Sequence, residues 1–140
     1  MKIIREYLGS AYYGEEPVKY EAVLHQKYKT ISVPVKENGK TIFVKKRGRV
    51  ATFSSLPDTE FIVVHTKELG RYEISECSTG LKCEDVCVST YEKAFDYFIN
   101  YSSFRSVALN DSEESKKRWN MILTQGCVRV EQWKKEAENA

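Results

Sequence analysis

Asn38-Gly39 stands between two arms of regular alternation, with Ile31, Val33 and Val35 before it and Ile42 and Val44 after it. A type I′ turn needs positive φ at both central positions, which Asn and Gly accept at little cost, so this segment is expected to close as a β-hairpin. The register follows. Glu37 faces Lys40, Val35 faces Ile42 and Val33 faces Val44, with these aliphatic residues on one buried face. Pro34 then falls opposite Phe43 in a non-hydrogen-bonded pair, and its missing N–H points away from the partner arm. The arm from Thr30 to Lys36 is therefore expected at a sheet edge, open to a second copy of the chain as a homodimer or to a partner's strand.

The same hairpin carries most of the positive charge. From Lys19 to Arg49 nine Lys and Arg residues meet only Glu21 and Glu37, whereas the 47 residues from Val50 to Asp96 hold four basic and nine acidic residues. The total of +2 thus conceals two oppositely charged segments. If the second arm stays regular, Lys45, Arg47 and Arg49 share a face with Phe43, and Lys36 and Lys40 extend the strip toward the turn. Lys46 completes the cluster, which is expected to lie at the base of the hairpin, where the chain bends before Val50. Gly48 marks a bulge or a close approach of ligand to backbone. Lys and Pro on an exposed strand also deter edge-to-edge aggregation, but such a device does not need nine positives against two negatives.

Downstream, Leu56-Pro57-Asp58 reads as a turn and Phe61 to Val64 as a central strand, apolar on both faces. Lys67 to Gly70 is a second turn. Arg71 to Cys77 follows, with Tyr72, Ile74 and Glu76 on one face, and Ser78-Thr79-Gly80 turns the chain into Leu81 to Val88. Ser89 to Glu92 fits a capping box, and Ala94, Phe95, Phe98 and Ile99 repeat at helical spacing. Asp111 to Glu114 starts another helix, with Trp119, Ile122 and Leu123 as its apolar side and Gly126 as its end. Trp133 is expected to anchor the segment from Glu131 to Glu138, a charged tail that is expected to fray. The sum is one α+β domain over residues 1–140: an antiparallel sheet of five or six strands, with two or three C-terminal helices packed on one face.

Function classes narrow by chemistry. The longest apolar run, Phe61 to Val64, is far short of the roughly 20 residues that cross a bilayer, and the charged N-terminus lacks a secretory core, so a cytoplasmic protein is expected. Cys77, Cys83, Cys87 and Cys127 are then reduced thiols, and spacings of six and four do not match a zinc knuckle. No metal or cofactor is expected. No phosphate loop, dinucleotide fingerprint, zinc-protease helix or nucleophile elbow occurs. An enzyme would have to gather His65 with Cys77 or Cys87, or His25 with carboxylates; Glu84-Asp85 point to opposite faces of a strand.

The expectation is a non-catalytic binding protein that uses Lys36, Lys40, Phe43, Lys45, Lys46, Arg47 and Arg49 to engage a nucleic-acid-handling protein or an anionic ligand. Direct nucleic-acid or nucleotide binding is the alternative, with tyrosines such as Tyr7, Tyr12, Tyr13, Tyr20 and Tyr28 serving as stacking platforms or as ordinary strand packing. Small size, the lack of a catalytic signature and the charge partition fit the small inhibitors and regulators encoded by phages and mobile elements, anti-defence proteins among them.

Overall fold

The computed structural model describes residues 2–7, 18–66, 70–101 and 113–139. Six strands form one antiparallel sheet in chain order: β1 (Lys2–Tyr7), β2 (Val18–Glu37), β3 (Lys40–Phe53), β4 (Leu56–Thr66), β5 (Arg71–Glu76) and β6 (Lys82–Cys87). Helix α1 (Tyr91–Tyr101) follows, and α2 (Glu113–Glu138) ends the described chain. The architecture is α+β, with two helices among the described residues. Tyr12, Tyr13, the Lys67–Leu69 part of the second turn and Asp111-Ser112 lie outside those residues.

The β2–β3 hairpin has the expected register, with Glu37 opposite Lys40, Val35 opposite Ile42, Pro34 opposite Phe43 and Val33 opposite Val44. Asn38 and Gly39 take φ of 52° and 78°, the left-handed pair that this tight turn requires. The hairpin is much longer than its alternating core. β2 runs for 20 residues and β3 for 14, and no bend separates Arg49 from Val50. The irregularity lies on the other strand, between Leu24 and Tyr28, where β2 slips register against β3. Gly48 sits in regular pairing with Lys29 and meets a neighbouring strand rather than a ligand. A Cβ there would overlap the Val63 carbonyl oxygen, so glycine is what lets β3 and β4 approach.

Phe61 to Val64 is central, and its alternation divides the interior. Phe61 and Val63 join one buried cluster with Ala22, Leu24, Ala51, Phe53, Tyr72 and Ile74, while Ile62 and Val64 join a second with Ile31, Val33 and Val50. Ala94, Phe95, Phe98 and Ile99 bring α1 onto the first cluster. The Phe53 ring lies 5.8 Å from Phe95 and 5.5 Å from Phe61, in tilted and edge-on arrangements that favour aromatic packing. Each buried ring contributes about 1.5–3 kcal/mol of hydrophobic stabilisation.

Several local expectations are corrected by competing contacts. The turn before β4 is Ser54-Ser55 rather than Leu56-Pro57-Asp58, because Ser54 exchanges bonds with the Glu21 backbone and Leu56 is buried. Thr90, not Ser89, caps α1: its hydroxyl accepts the Lys93 N–H at 3.1 Å, and Glu92 turns away to Arg49. Gly126 does not end α2, which continues through the charged tail to Glu138. A Cβ at Gly126 would meet Leu81 Cδ1 at 2.8 Å, so its small size serves helix–sheet contact. Trp119, Leu123, Gly126, Val130 and Trp133 make the inward stripe of α2, and Ile122 lies 41% exposed outside it. Trp119 is fixed by its indole N–H, which donates to the Thr59 hydroxyl at 3.1 Å.

The outer side of the arm from Thr30 to Lys36 has no paired strand among the described residues. It is nevertheless not wholly bare. The β5–β6 turn presses against it, with the Gly80 backbone close to the Ser32 carbonyl. That turn is itself held by the buried Glu76 carboxylate, which accepts from the backbone N–H and hydroxyl groups of both Ser78 and Thr79 at 2.6–2.9 Å.

Candidate functional site

Antiparallel pairing sets the acidic strands beside the basic hairpin, and part of the positive charge is neutralised inside the fold. Lys46 Nζ donates to Glu73 Oε2 at 2.6 Å, and Lys29 Nζ to Glu60 Oε1 at 2.9 Å. The Lys29 hydrogen bond holds the Glu60 carboxyl below its ordinary range and Lys29 above its own. Arg49 is the most committed. Only 4% exposed, it donates from Nε to the His25 carbonyl at 2.9 Å and from Nη1 to Glu92 at 3.0 Å, with its guanidinium 5.5 Å from the centre of the Tyr91 ring. It ties the irregular stretch of β2 to the start of α1. Its Nη2 is buried without a partner, which raises the cost of any change that leaves the group less well satisfied. Arg49 is therefore a strut and not part of an open strip, and Lys46 is bound to β5.

The remaining positions of the hairpin differ. Lys36, Lys40 and Lys45 are exposed and have no acidic partner among the described residues. Arg47 is also exposed, and its guanidinium rests 4.4 Å over the Tyr28 ring. Phe43 is half-buried, with Lys134 of α2 5.9 Å above its ring. Alternation along β3 places Phe43, Lys45 and Arg47 on one side, where β2 contributes Tyr28 and Lys36 through the register Lys36–Thr41 and Tyr28–Arg49. Together they form a strip of cations interleaved with two rings. Such an arrangement attracts polyanions at long range and offers flat surfaces at short range.

At its inner end the strip joins an aromatic group that sequence reading did not assemble. Tyr28 meets Tyr91 edge-on at 6.2 Å, Tyr91 meets Tyr72 at 5.1 Å, and the exposed His65 stacks on Tyr72 at 4.7 Å. Burial and then the Tyr28 neighbour push the Tyr91 hydroxyl above its usual range, so Tyr91 stays neutral near pH 7. Only the spacing of Tyr28 from Arg47 across the hairpin hinted at this group; Tyr91 arrives through a helix whose docking the sequence does not specify.

The groups required for a His65–cysteine site are apart. His65 lies in register with Tyr72 and Val86, while Cys87 pairs with Arg71 and so points to the opposite face of the sheet. Cys77 packs against the Ile31–Val33 cluster, and burial pushes its thiol up to about 11; burial also pushes Cys83 to about 12. Neither is a thiolate at neutral pH. His25 Nε2 is bonded to the Thr52 hydroxyl at 2.7 Å. Asp85 is engaged by Arg71 and Lys82 at 2.9 and 2.7 Å. Among the described residues no three His, Cys, Asp or Glu side chains gather as metal ligands, and no helix is long and apolar enough to cross a membrane.

Comparison of the chain with protein-family models, with curated proteins and with solved structures gives no match.

Proposed function

We propose that this chain is a non-catalytic binding protein, a small inhibitor or regulator whose hairpin engages an acidic surface on a nucleic-acid-handling protein. The observation that carries the reading is the set of exposed cations Lys36, Lys40, Lys45 and Arg47, which reach no acidic partner among the described residues, on a ribbon whose Lys29, Lys46 and Arg49 have found acidic partners within the fold. Folding had acidic residues to spare, yet these four remain presented to solvent. The phage or mobile-element setting belongs to the same reading, as does a cytosolic location, which suits four free thiols.

A second reading, direct nucleic-acid binding, is favoured by the Tyr28 and Phe43 rings set between the cations, since rings beside Arg and Lys stack on bases while the charges hold phosphates. Pull-down from extracts of the native host, alongside an oligonucleotide shift at two salt concentrations, separates the two. The protein-partner reading expects a stoichiometric captured protein and weak oligonucleotide binding; tight binding that falls steeply with salt favours the second. In either case K45E/R47E is expected to abolish the interaction. Undiminished binding by that folded variant removes the ribbon from the mechanism.

A further inference from the structure

Where the hairpin tip meets the last turns of α2, a cleft of about 350 Å³ is lined by Lys36, Lys40, Ile42, Trp133 and Glu136, together with Thr41 and two small neighbours. That volume lies near the lower end of the roughly 300–1,000 Å³ typical of small-ligand sites. The lining is chemically divided. Trp133 and Ile42 supply an aromatic and an aliphatic wall; Ile42 is 37% exposed despite its place in an otherwise packed alternation. Lys36 and Lys40 supply two ammonium groups without acidic partners among the described residues. Glu136 supplies a carboxylate whose contact is a long 3.4 Å bond from Gln132, so it retains acceptor capacity.

We infer that this cleft binds a nucleoside monophosphate unit, either free or at the end of a strand. A planar base suits the wall made by Trp133, because ring stacking tolerates any base. The phosphate suits Lys36 and Lys40, which act as two adjacent point charges. Ribose hydroxyls or an exocyclic amine suit Glu136, which accepts hydrogen bonds and repels a second anion on its side. A purely hydrophobic ligand would leave the lysines unused, and a bare anion would leave Trp133 and Ile42 unused. The combination selects a ligand with one flat end and one anionic end. The cleft shares Lys36 and Lys40 with the ribbon but uses neither Lys45 nor Arg47, so substitution of the latter pair distinguishes a failure of this inference from a failure of the ribbon reading.

The test is an NMR titration of the ¹⁵N-labelled full chain, following the Trp133 indole signal, assigned by its disappearance in W133F. The probes are AMP, GMP, CMP and UMP, the matching nucleosides, inorganic phosphate, and a trinucleotide with and without a 5′-phosphate. At least one monophosphate, or the phosphorylated trinucleotide, is expected to shift the signal saturably with a Kd of about 1 mM or tighter, and its unphosphorylated counterpart and inorganic phosphate to bind at least about tenfold more weakly. K36E/K40E is expected to weaken the phosphorylated probe at least about tenfold, whereas K45E/R47E leaves it unchanged, which separates this site from the ribbon. If the double variant does not fold, K40Q is read in its place, with a smaller loss in the same direction. The inference is overturned if no phosphorylated probe moves the Trp133 signal up to about 10 mM, if inorganic phosphate binds as well as the nucleotides, or if the lysine variant binds like wild type.

Discussion

Two sets of cations on one hairpin are used in opposite ways. Lys29, Lys46 and Arg49 reach Glu60, Glu73 and Glu92, and their charge is spent on joining β2 and β3 to β4, β5 and α1. Lys36, Lys40, Lys45 and Arg47 reach no acid among the described residues, and Arg47 rests over the Tyr28 ring. Distance from the turn does not separate the sets, since Lys46 stands between Lys45 and Arg47. Alternation turns Lys46 to the face where β5 presents Glu73, and Lys45 and Arg47 to the other; Arg49 shares that other face and is consumed because α1 brings Glu92 to it. A charge imbalance in sequence is thus two signals superimposed: a complement that folding consumes and a residue that it leaves outside.

The sharpest way to break this division is at Arg49. R49E buries a carboxylate against Glu92 and discards the bond to the His25 carbonyl, and losing a buried ionic partner costs on the order of 3–5 kcal/mol. Glu92 is half exposed, which places the expected loss at the lower end, near 3 kcal/mol, and denaturant unfolding measures it. G48A comes next. Its methyl would press on the Val63 backbone, which cannot rotate away, so a loss of about 1–3 kcal/mol is expected by the same measurement. K46M leaves the largely covered Glu73 carboxylate without its 2.6 Å partner, with an expected loss of about 1–2 kcal/mol. R47E removes only an exposed cation–π contact, worth about 0.5–1 kcal/mol, and K45E nothing structural, so K45E/R47E is expected to melt close to wild type while losing its partner.

The smallest effect is on acid stability. Glu92 is held below its ordinary 4.5 first by its own backbone N–H at the helix start and then by Arg49. Glu60 is held below the same value by the bond from Lys29. Each therefore binds its proton more weakly in the folded state, so its contribution is complete above pH 4.5 and is lost as pH falls through the lower folded value. Both carboxylates are substantially exposed, so the protonation of each is expected to cost less than about 1 kcal/mol. Melting followed from pH 7 to pH 3 should decline below pH 4.5, and E92Q should decline less steeply.

Local chemistry made the hairpin and the central strand legible. Asn38-Gly39 fixes a turn by its own φ requirements, and the apolar run Phe61 to Val64 needs cover on both faces whatever surrounds it. The α1 stripe was readable for the same reason: Ala94, Phe95, Phe98 and Ile99 repeat at the helical period. What was not legible depends on distant partners. Gly126 looks like a helix end until Leu81 is placed beside it, and Gly48 looks like a ligand site until Val63 is. Arg49 belongs by spacing to the same strip as Lys45 and Arg47; only the docking of α1, which brings Glu92 and Tyr91, removes it. Trp133 was readable as an anchor, but not as the wall of a cleft at the hairpin tip, because the helix had been expected to stop before it.

The division of the hairpin's charge is tested most directly by the thermal unfolding of two double reversals measured side by side, K45E/R47E and K46E/R49E. They alter the same net charge, by the same amount, on the same strand. The account predicts that K45E/R47E melts within about 4 °C of wild type, whereas K46E/R49E loses about 10 °C or more or fails to fold. Equal melting temperatures for the two would contradict it, because the ion-paired cations would then be no more structural than the solvent-facing ones.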